Sequence, residues 1–100
     1  IMQRIFSKVG LAETPQQIRE RRVREQLAAI EYWDKRVQRR RVNWDGRLSA
    51  AFDRNLNEID KSVSEYESIL RKDPDDQLSE EMLYSALTEK MNLLRQFSEL

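Results

Sequence analysis

Two helical stripes of apolar residues, joined by a short acidic corner, constrain this chain more than any other feature of its sequence. The first stripe has members that are alternately four and three residues apart: Phe52, Leu56, Ile59, Val63, Tyr66 and Leu70. This spacing places side chains on one face of an α-helix. Beyond the corner Asp73-Pro74-Asp75-Asp76, a second stripe comprises Leu78, Met82, Leu83, Ala86, Leu87, Met91, Leu94 and Phe97. Because the corner is short, the two helices are expected to be antiparallel neighbours.

Composition also favours an all-α protein. Charged residues make up 36% of the 100 residues and apolar residues 39%, with only two glycines and two prolines. This composition is typical of long helices with large charged surfaces, and the alternation and frequent turns of a β-protein are missing from the sequence. The length suits one small domain, and because the sequence begins at Ile1 rather than at a methionine, we expect it to be a fragment.

Turn and capping residues predict the boundaries of three helices, at about residues 15–42, 45–72 and 74–99 of a single domain over residues 14–100. A short arm or helix is expected over residues 1–13. Thr14 suits the cap of the first helix. At the acidic corner, we expect Asp73 to end the second helix and cap the third, with Pro74 as the first residue of the third helix.

The segment from Asn43 to Gly46 predicts a tight connection between the first two helices, because its residues favour caps and turns. The alternative is one continuous helix from Pro15 to Lys72, since a single glycine costs a helix only about 1 kcal/mol. Such a continuous helix would leave its first half unpaired unless the chain dimerises.

The hairpin needs a third helix to cover its apolar face, because two helices of this size rarely bury enough apolar surface to be stable. The first predicted helix or a second copy of the hairpin can supply it. Residues 16–42 hold nine basic and four acidic residues, a net charge of +5, whereas residues 73–100 hold two basic and seven acidic residues, a net charge of −5. These segments attract each other within a monomer or across a dimer. We therefore predict a three-helix bundle, with dimerisation left open.

The residues predicted to form the core or a partner interface are the large apolar ones at helical spacing. They are Leu27, Ile30, Trp33, Val37, Trp44, Phe52, Leu56, Ile59, Val63, Tyr66, Leu70, Leu83, Leu87, Leu94 and Phe97. Trp44 is expected to clamp the junction of the first two helices, because large aromatic residues at helix spacing are usually core anchors.

The sequence predicts no catalytic, metal-binding or cofactor-binding residue. It contains no cysteine and no histidine, which excludes disulfides, zinc fingers and cysteine or histidine nucleophiles from these residues. The acidic corner lacks the central glycine of a calcium loop, and helix capping explains its carboxylates. Arginine clusters such as Arg39-Arg40-Arg41 suit phosphates, but acids interleave with the basic residues and the chain is neutral, so no nucleic-acid partner is expected. No run of residues is long and apolar enough to span a bilayer.

The run from Phe52 to Tyr66, the acidic corner and the end of the second stripe resemble the C-terminal helical region of bacterial zinc-finger-type anti-sigma factors. In that family, a helix with the pattern R/N-L-x-x-I-D-x-x-I/V leads through an N/D-P-D-D corner into a helix that ends K-x-x-L-L-R. The resemblance covers roughly residues 30–100. The matching residues are Arg54, Leu56, Ile59, Asp60, Val63, Pro74, Asp75, Asp76, Lys90, Leu93, Leu94 and Arg95.

The resemblance implies a membrane-linked bacterial regulator of transcription. A cytoplasmic zinc domain would hold the sigma factor, and the present residues would form a periplasmic sensor or assembly module beyond a membrane helix. Their partner would be a protein, including a second copy of the chain, with the sigma factor engaged indirectly. The family's Cys/His sigma-binding motif is absent from these residues, and a cytoplasmic location stays open. The alternative hypothesis is a periplasmic helical-hairpin adaptor that binds a ligand or a metal directly.

Overall fold

The computed structural model describes residues 12–100, so the arm expected over residues 1–13 lies outside the described residues apart from its last two positions. Three helices follow in order: α1 (Pro15–Arg41), α2 (Gly46–Lys72) and α3 (Gln77–Phe97). Residues 12–100 contain no strand. The predicted all-helical fold with three helices is confirmed, and the helices pack as a three-helix bundle.

Helix α3 is the central element, because it packs along both α1 and α2, whereas α1 and α2 make few contacts with each other. Arg19, near the start of α1, donates a hydrogen bond to the carbonyl of Pro74, just before α3. Trp44, just beyond the end of α1, lies against Phe97 at the end of α3. Helix α1 is therefore parallel to α3. Helix α2 is antiparallel to both, as its short connections require.

The start of α1 is fixed by a reciprocal capping box. The hydroxyl of Thr14 accepts a hydrogen bond from the backbone N–H of Gln17 at 3.1 Å, and the Gln17 side chain accepts one from the backbone N–H of Thr14 at 2.9 Å. Pro15 occupies the first helical position, where its missing N–H has no helical partner to lose.

The connection between α1 and α2 occupies residues 42–45, so the continuous helix from Pro15 to Lys72 is not formed. The backbone N–H of Asn43 bonds to the carbonyl of Arg40 at 3.0 Å, which tightens the last turn of α1. Asp45 then caps α2 by accepting a hydrogen bond from the backbone N–H of Leu48 at 2.8 Å. The two helices accordingly end and begin one residue inside the expected bounds.

The acidic corner differs from the prediction. Helix α3 begins at Gln77, and its cap is Asp76, whose carboxylate accepts the backbone N–H of Ser79 at 3.0 Å. Asp73 instead ends α2, and its carboxylate accepts the N–H of Asp75 at 3.2 Å. The expectation that Asp73 caps the third helix and that Pro74 is its first residue is wrong. Pro74 lies in a turn, a position that its fixed φ angle also suits.

The core runs along the face of α3 that the other two helices cover. Its buried cluster consists of Ile30, Val37, Phe52, Leu70, Leu83, Leu87 and Leu94. All seven are among the residues predicted to form a core or an interface. Leu70 is 6% exposed and Leu83 is 3% exposed, so the two stripes do fold against each other across the corner. Each such side chain contributes about 1.5–3 kcal/mol before the loss of chain entropy is subtracted.

Candidate functional site

Two of the residues that carry the resemblance, Asp60 and Lys90, meet at the seam between α2 and α3. The ammonium group of Lys90 donates a hydrogen bond to the carboxylate of Asp60 at 2.7 Å. Beside this pair, Leu94 is completely buried and Ile59 is 9% exposed. The contact between Asp60 and Lys90 is therefore part of the packing of the hairpin.

An aromatic cluster holds the end of the bundle at which α1 turns into α2. The ring of Trp44 lies 5.4 Å from that of Phe52 and 5.6 Å from that of Phe97, in edge-to-face arrangements. Such pairs add about 0.5–1.5 kcal/mol to the burial of their surface. Next to them, Arg41 forms a 2.6 Å ion pair with Asp53. The structure thus places Trp44 at the junction of all three helices.

Polar contacts join α1 to the first half of α3. The side chain of Arg19 is only 11% exposed and bonds to the carbonyl of Pro74 at 3.0 Å and to the carboxylate of Glu80 at 3.3 Å. One turn further on, the guanidinium of Arg22 lies 3.8 Å from the ring centroid of Tyr84. The amide of Gln26 then donates to the backbone carbonyl of Tyr84 at 3.1 Å. The basic helix α1 therefore meets the acidic start of α3 within one chain.

The phenol of Tyr84 is perturbed by this seam. Burial raises the pKa of Tyr84, and the carboxylate of Glu80, which accepts a hydrogen bond from the phenol at 3.4 Å, raises this pKa further. The Arg22 guanidinium acts in the opposite direction without reversing the shift. Sequence reasoning missed these contacts, because polar residues on a helix give no periodic signal of what they touch.

An open groove separates α1 from α2 on one side of α3. Its walls and floor are mainly aliphatic and come from all three helices: Val23, Leu27, Ile30, Leu56, Leu70 and Leu83. Its rim carries charges of both signs, including Arg24, Glu67 and Arg71. The groove exists because α1 and α2 touch α3 rather than each other.

Leu27 differs from the other predicted interface residues, because it is 46% exposed. Its neighbour on the same helix, Ile30, is 6% exposed. Leu27, which was predicted to belong to the core or to a partner interface, is therefore not part of the core, and its role at a partner interface stays a prediction. The apolar character of a single position does not tell which side of the helix the core occupies.

The remaining predicted residues lie in or beside the core. Ile59 is buried on α2, outside the main cluster. Half-buried residues that pack against the cluster are Trp33, Trp44, Leu56, Val63, Tyr66 and Phe97. Val23, Met91 and Leu93 do the same, although they were left out of the predicted set. Their apolar character and helical spacing were the signal that could have included them.

Two members of the second stripe remain at its outer edge near the acidic corner. Leu78 is 71% exposed and Met82 is 40% exposed, and Ile69, near the end of α2, is also 40% exposed. The apolar stripe of α3 is therefore wider than the surface that α1 and α2 cover.

Two of the three aspartates of the acidic corner bind backbone N–H groups. The side chains of Asp73 and Asp76 each accept a backbone N–H, at 3.2 and 3.0 Å. Within residues 12–100, no group of three or more His, Cys, Asp or Glu side chains is arranged to hold a metal ion.

Comparison with protein-family models gave no match. No curated protein matches the chain, and no solved structure does. Among the described residues, no helix has both the length and the apolar character needed to cross a membrane.

Proposed function

We propose that this chain is a non-enzymatic regulatory module that acts through protein–protein contacts, as the C-terminal sensor or dimerisation part of an anti-sigma factor that controls transcription. The observation that carries the proposal is the ion pair between Asp60 and Lys90. These residues belong to the two helices that carry the resemblance, and the hairpin brings them into contact although they are 30 positions apart in sequence.

The difference between the apolar contacts of the hairpin and the largely polar contacts at the start of α1 supports a role in responding to a protein partner. The α2–α3 hairpin is held by apolar residues such as Leu70, Leu83 and Leu94. The Pro15 end of α1, by contrast, contacts the α3 side largely through hydrogen bonds and an ion pair made by Arg19 and Gln26, with Val23 adding apolar packing against the core. Water can replace such contacts at a lower free-energy cost than apolar packing. A partner would therefore displace this end of α1 more readily than it would open the hairpin.

The position of the module in the cell belongs to the same proposal. In a bacterial single-pass membrane protein, these residues would form the periplasmic portion, and a cytoplasmic zinc domain would bind the sigma factor. The partner of the module would be a protein, and control of the sigma factor would be indirect.

The coding sequence upstream of Ile1 tests this proposal directly. A His-x-x-x-Cys-x-x-Cys motif followed by an apolar span of about 20 residues is the expected result. If the upstream sequence encodes neither, the anti-sigma proposal fails.

A reporter for the sigma-dependent promoter tests the regulatory role in the intact protein. Leu94→Asp, which places a charge at a fully buried position, is expected to change the response of the promoter to its inducing condition. Leu78→Asp at a position that is 71% exposed is the matched control and is expected to leave that response unchanged.

Calorimetric titration with divalent metal ions tests the alternative hypothesis, a helical-hairpin adaptor that binds a ligand or a metal directly. Tight metal binding would favour that alternative.

A further inference from the structure

The edge of α1 that borders the groove between α1 and α2 carries charged residues at regular helical spacing. Glu20, Arg24, Leu27, Glu31 and Asp34 follow one another at alternating intervals of four and three residues, and so they form a single stripe along the helix. All are exposed except Asp34, which is half-buried. The stripe lines the open groove between α1 and α2, together with Leu56 and Lys90, and its spacing is the one that helices use to pair with each other.

The charges of this stripe are self-complementary about its centre. The centre lies between Leu27 and Ala28, and Arg24 and Glu31 are equally distant from it on either side. The same holds for Glu20 with Lys35. Three of the four charged residues of the stripe, Glu20, Arg24 and Glu31, therefore have a counterpart of opposite sign at the mirrored position. A surface with this property can pair with an identical surface that runs in the opposite direction.

We propose that α1 forms a homodimer interface in which two copies of α1 pair antiparallel about a twofold axis between Leu27 and Ala28. Arg24 of each copy then faces Glu31 of the second copy. Leu27, 46% exposed in the monomer, packs at the axis, where the small side chain of Ala28 allows the helices to approach closely. The partner of the interaction module proposed above would then be a second copy of the chain. The dimer rests on that proposed function in one respect, namely that the bundle acts through protein–protein contacts.

The charges at the two ends of the molecule favour the antiparallel orientation. Residues 35–41 hold five basic and no acidic residues, and residues 73–81 hold five acidic and no basic residues. Because α1 is parallel to α3, these segments lie at opposite ends of the bundle. An antiparallel dimer brings the basic end of each copy beside the acidic end of the other, whereas a parallel dimer would bring like charges together.

The ion pairs that these charged residues form within the monomer are weak and compete little with ion pairs across the dimer. Arg21 pairs with Glu13 at 3.0 Å and Lys35 with Glu31 at 3.9 Å, and all four side chains are at least 42% exposed. Exposed ion pairs of this kind contribute little, so they can exchange for pairs with the second copy. A single pair of helices buries less than the ~1,200 Å² typical of stable complexes. The expected dimer is therefore weak, and its population depends on concentration and on salt.

Charge reversal followed by sedimentation equilibrium of the whole chain tests the proposal. Arg24→Glu creates two Glu–Glu contacts per dimer, and Glu31→Arg creates two Arg–Arg contacts. Each single variant is expected to self-associate at least about tenfold more weakly than the unmodified chain. In an equimolar mixture of the two variants, the Glu at position 24 of the first faces the Arg at position 31 of the second, and Glu31 of the first faces Arg24 of the second. Heterodimers should therefore form. The double variant R24E/E31R should likewise recover self-association.

Arg54→Glu is the matched control, because it changes the net charge by the same amount at an exposed position of α2. It is expected to leave self-association unchanged. Thermal unfolding followed by circular dichroism should show the same midpoint for all these variants at concentrations where each is monomeric, because the side chains are exposed.

Cross-linking gives a second readout that does not depend on charge. Since the chain has no cysteine, a single one introduced by Ala28→Cys lies next to its own copy across the axis and should form a disulfide-linked dimer on mild oxidation. Ser64→Cys, at an exposed position on α2, should not do so at the same concentration.

An unmodified chain that stays monomeric at millimolar concentration in low salt would overturn the proposal. Equal self-association of Arg24→Glu and the unmodified chain would also overturn it. Neither result bears on the anti-sigma assignment, which the upstream coding sequence tests separately.

Discussion

Lys90 of α3 donates a hydrogen bond to Asp60 of α2 at 2.7 Å, midway along the hairpin. The Lys90 side chain is 23% exposed and that of Asp60 is 45% exposed, so the pair is partly shielded from water. A shift of one helix by a single turn would move these groups about 5.4 Å apart along the axis. The pair therefore favours one register of α2 on α3.

A double-mutant cycle on this pair is expected to show favourable coupling. Asp60→Ala, Lys90→Ala and their combination should give a coupling energy of about 0.5–1 kcal/mol, as a short, partly shielded ion pair provides. Urea unfolding of the four proteins measures it. The control cycle uses Glu31 and Lys35, which are 3.9 Å apart and 71% and 68% exposed, and should give less than about 0.5 kcal/mol. Equal coupling energies in both cycles would contradict the claim that the Asp60–Lys90 pair stabilises the packing of α2 on α3 more than an exposed ion pair does.

Truncation of Leu94 should be among the most destabilising changes in the chain. Leu94 is completely buried against the core, so Leu94→Ala removes methyl groups and leaves a cavity, with an expected loss of about 2–5 kcal/mol. Leu78→Ala, on the same helix but 71% exposed, should change the free energy of unfolding by no more than about 0.5 kcal/mol. Denaturant titration compares the two variants, and a similar effect of both would show that the buried face of α3 is misassigned.

The start of α3 can be checked through its cap. Asp76→Ala removes the side-chain acceptor for the backbone N–H of Ser79 and should lower stability by about 1 kcal/mol. Asp75→Ala lacks this effect, because among the described residues no backbone N–H bonds to the Asp75 side chain. This substitution should lower the stability by only a few tenths of a kcal/mol, through the lost interaction with the helix dipole. Thermal or urea unfolding resolves the difference. A larger loss for Asp75→Ala would place the start of the helix elsewhere.

Stability at alkaline pH should depend on Tyr84. Burial, reinforced by Glu80, raises the pKa of Tyr84 above its value in the unfolded chain, which is about 10. The folded state then binds the phenolic proton more tightly than the unfolded state. This contribution is complete below pH of about 10 and is lost as the pH rises through the folded pKa. Tyr84→Phe should flatten this part of the profile of unfolding free energy against pH, and an unchanged slope would contradict the prediction.

The hairpin and the core were predictable because burial leaves a periodic trace in a sequence. The stripe from Phe52 to Leu70 consists of apolar residues on a polar helix, and its spacing alone identifies the buried face. The start of α1 was predictable for a different reason, since Thr14 and Gln17 form a local capping box that needs no tertiary contact.

Other features depend on contacts that the sequence does not encode locally. Asp73 and Asp76 both suit a helix cap, and Pro74 suits both a helix start and a turn, so only the packed structure decides between them. Leu27 was predicted to lie in the core or at a partner interface because it is apolar, but the position of α3 relative to α1 leaves it exposed. The hydrogen bond from Gln26 to the carbonyl of Tyr84 joins positions 58 residues apart and has no sequence signature.

Nuclear Overhauser effects between side chains on different helices measure whether α2 folds back along α3 with α1 closing the bundle. Cross-peaks are expected between the methyl groups of Leu70 and Leu83, and between the rings of Trp44 and Phe97, whose centroids are 5.6 Å apart. A spectrum in which Phe97 and Leu83 show cross-peaks only to residues of their own helix would contradict this arrangement of the three helices.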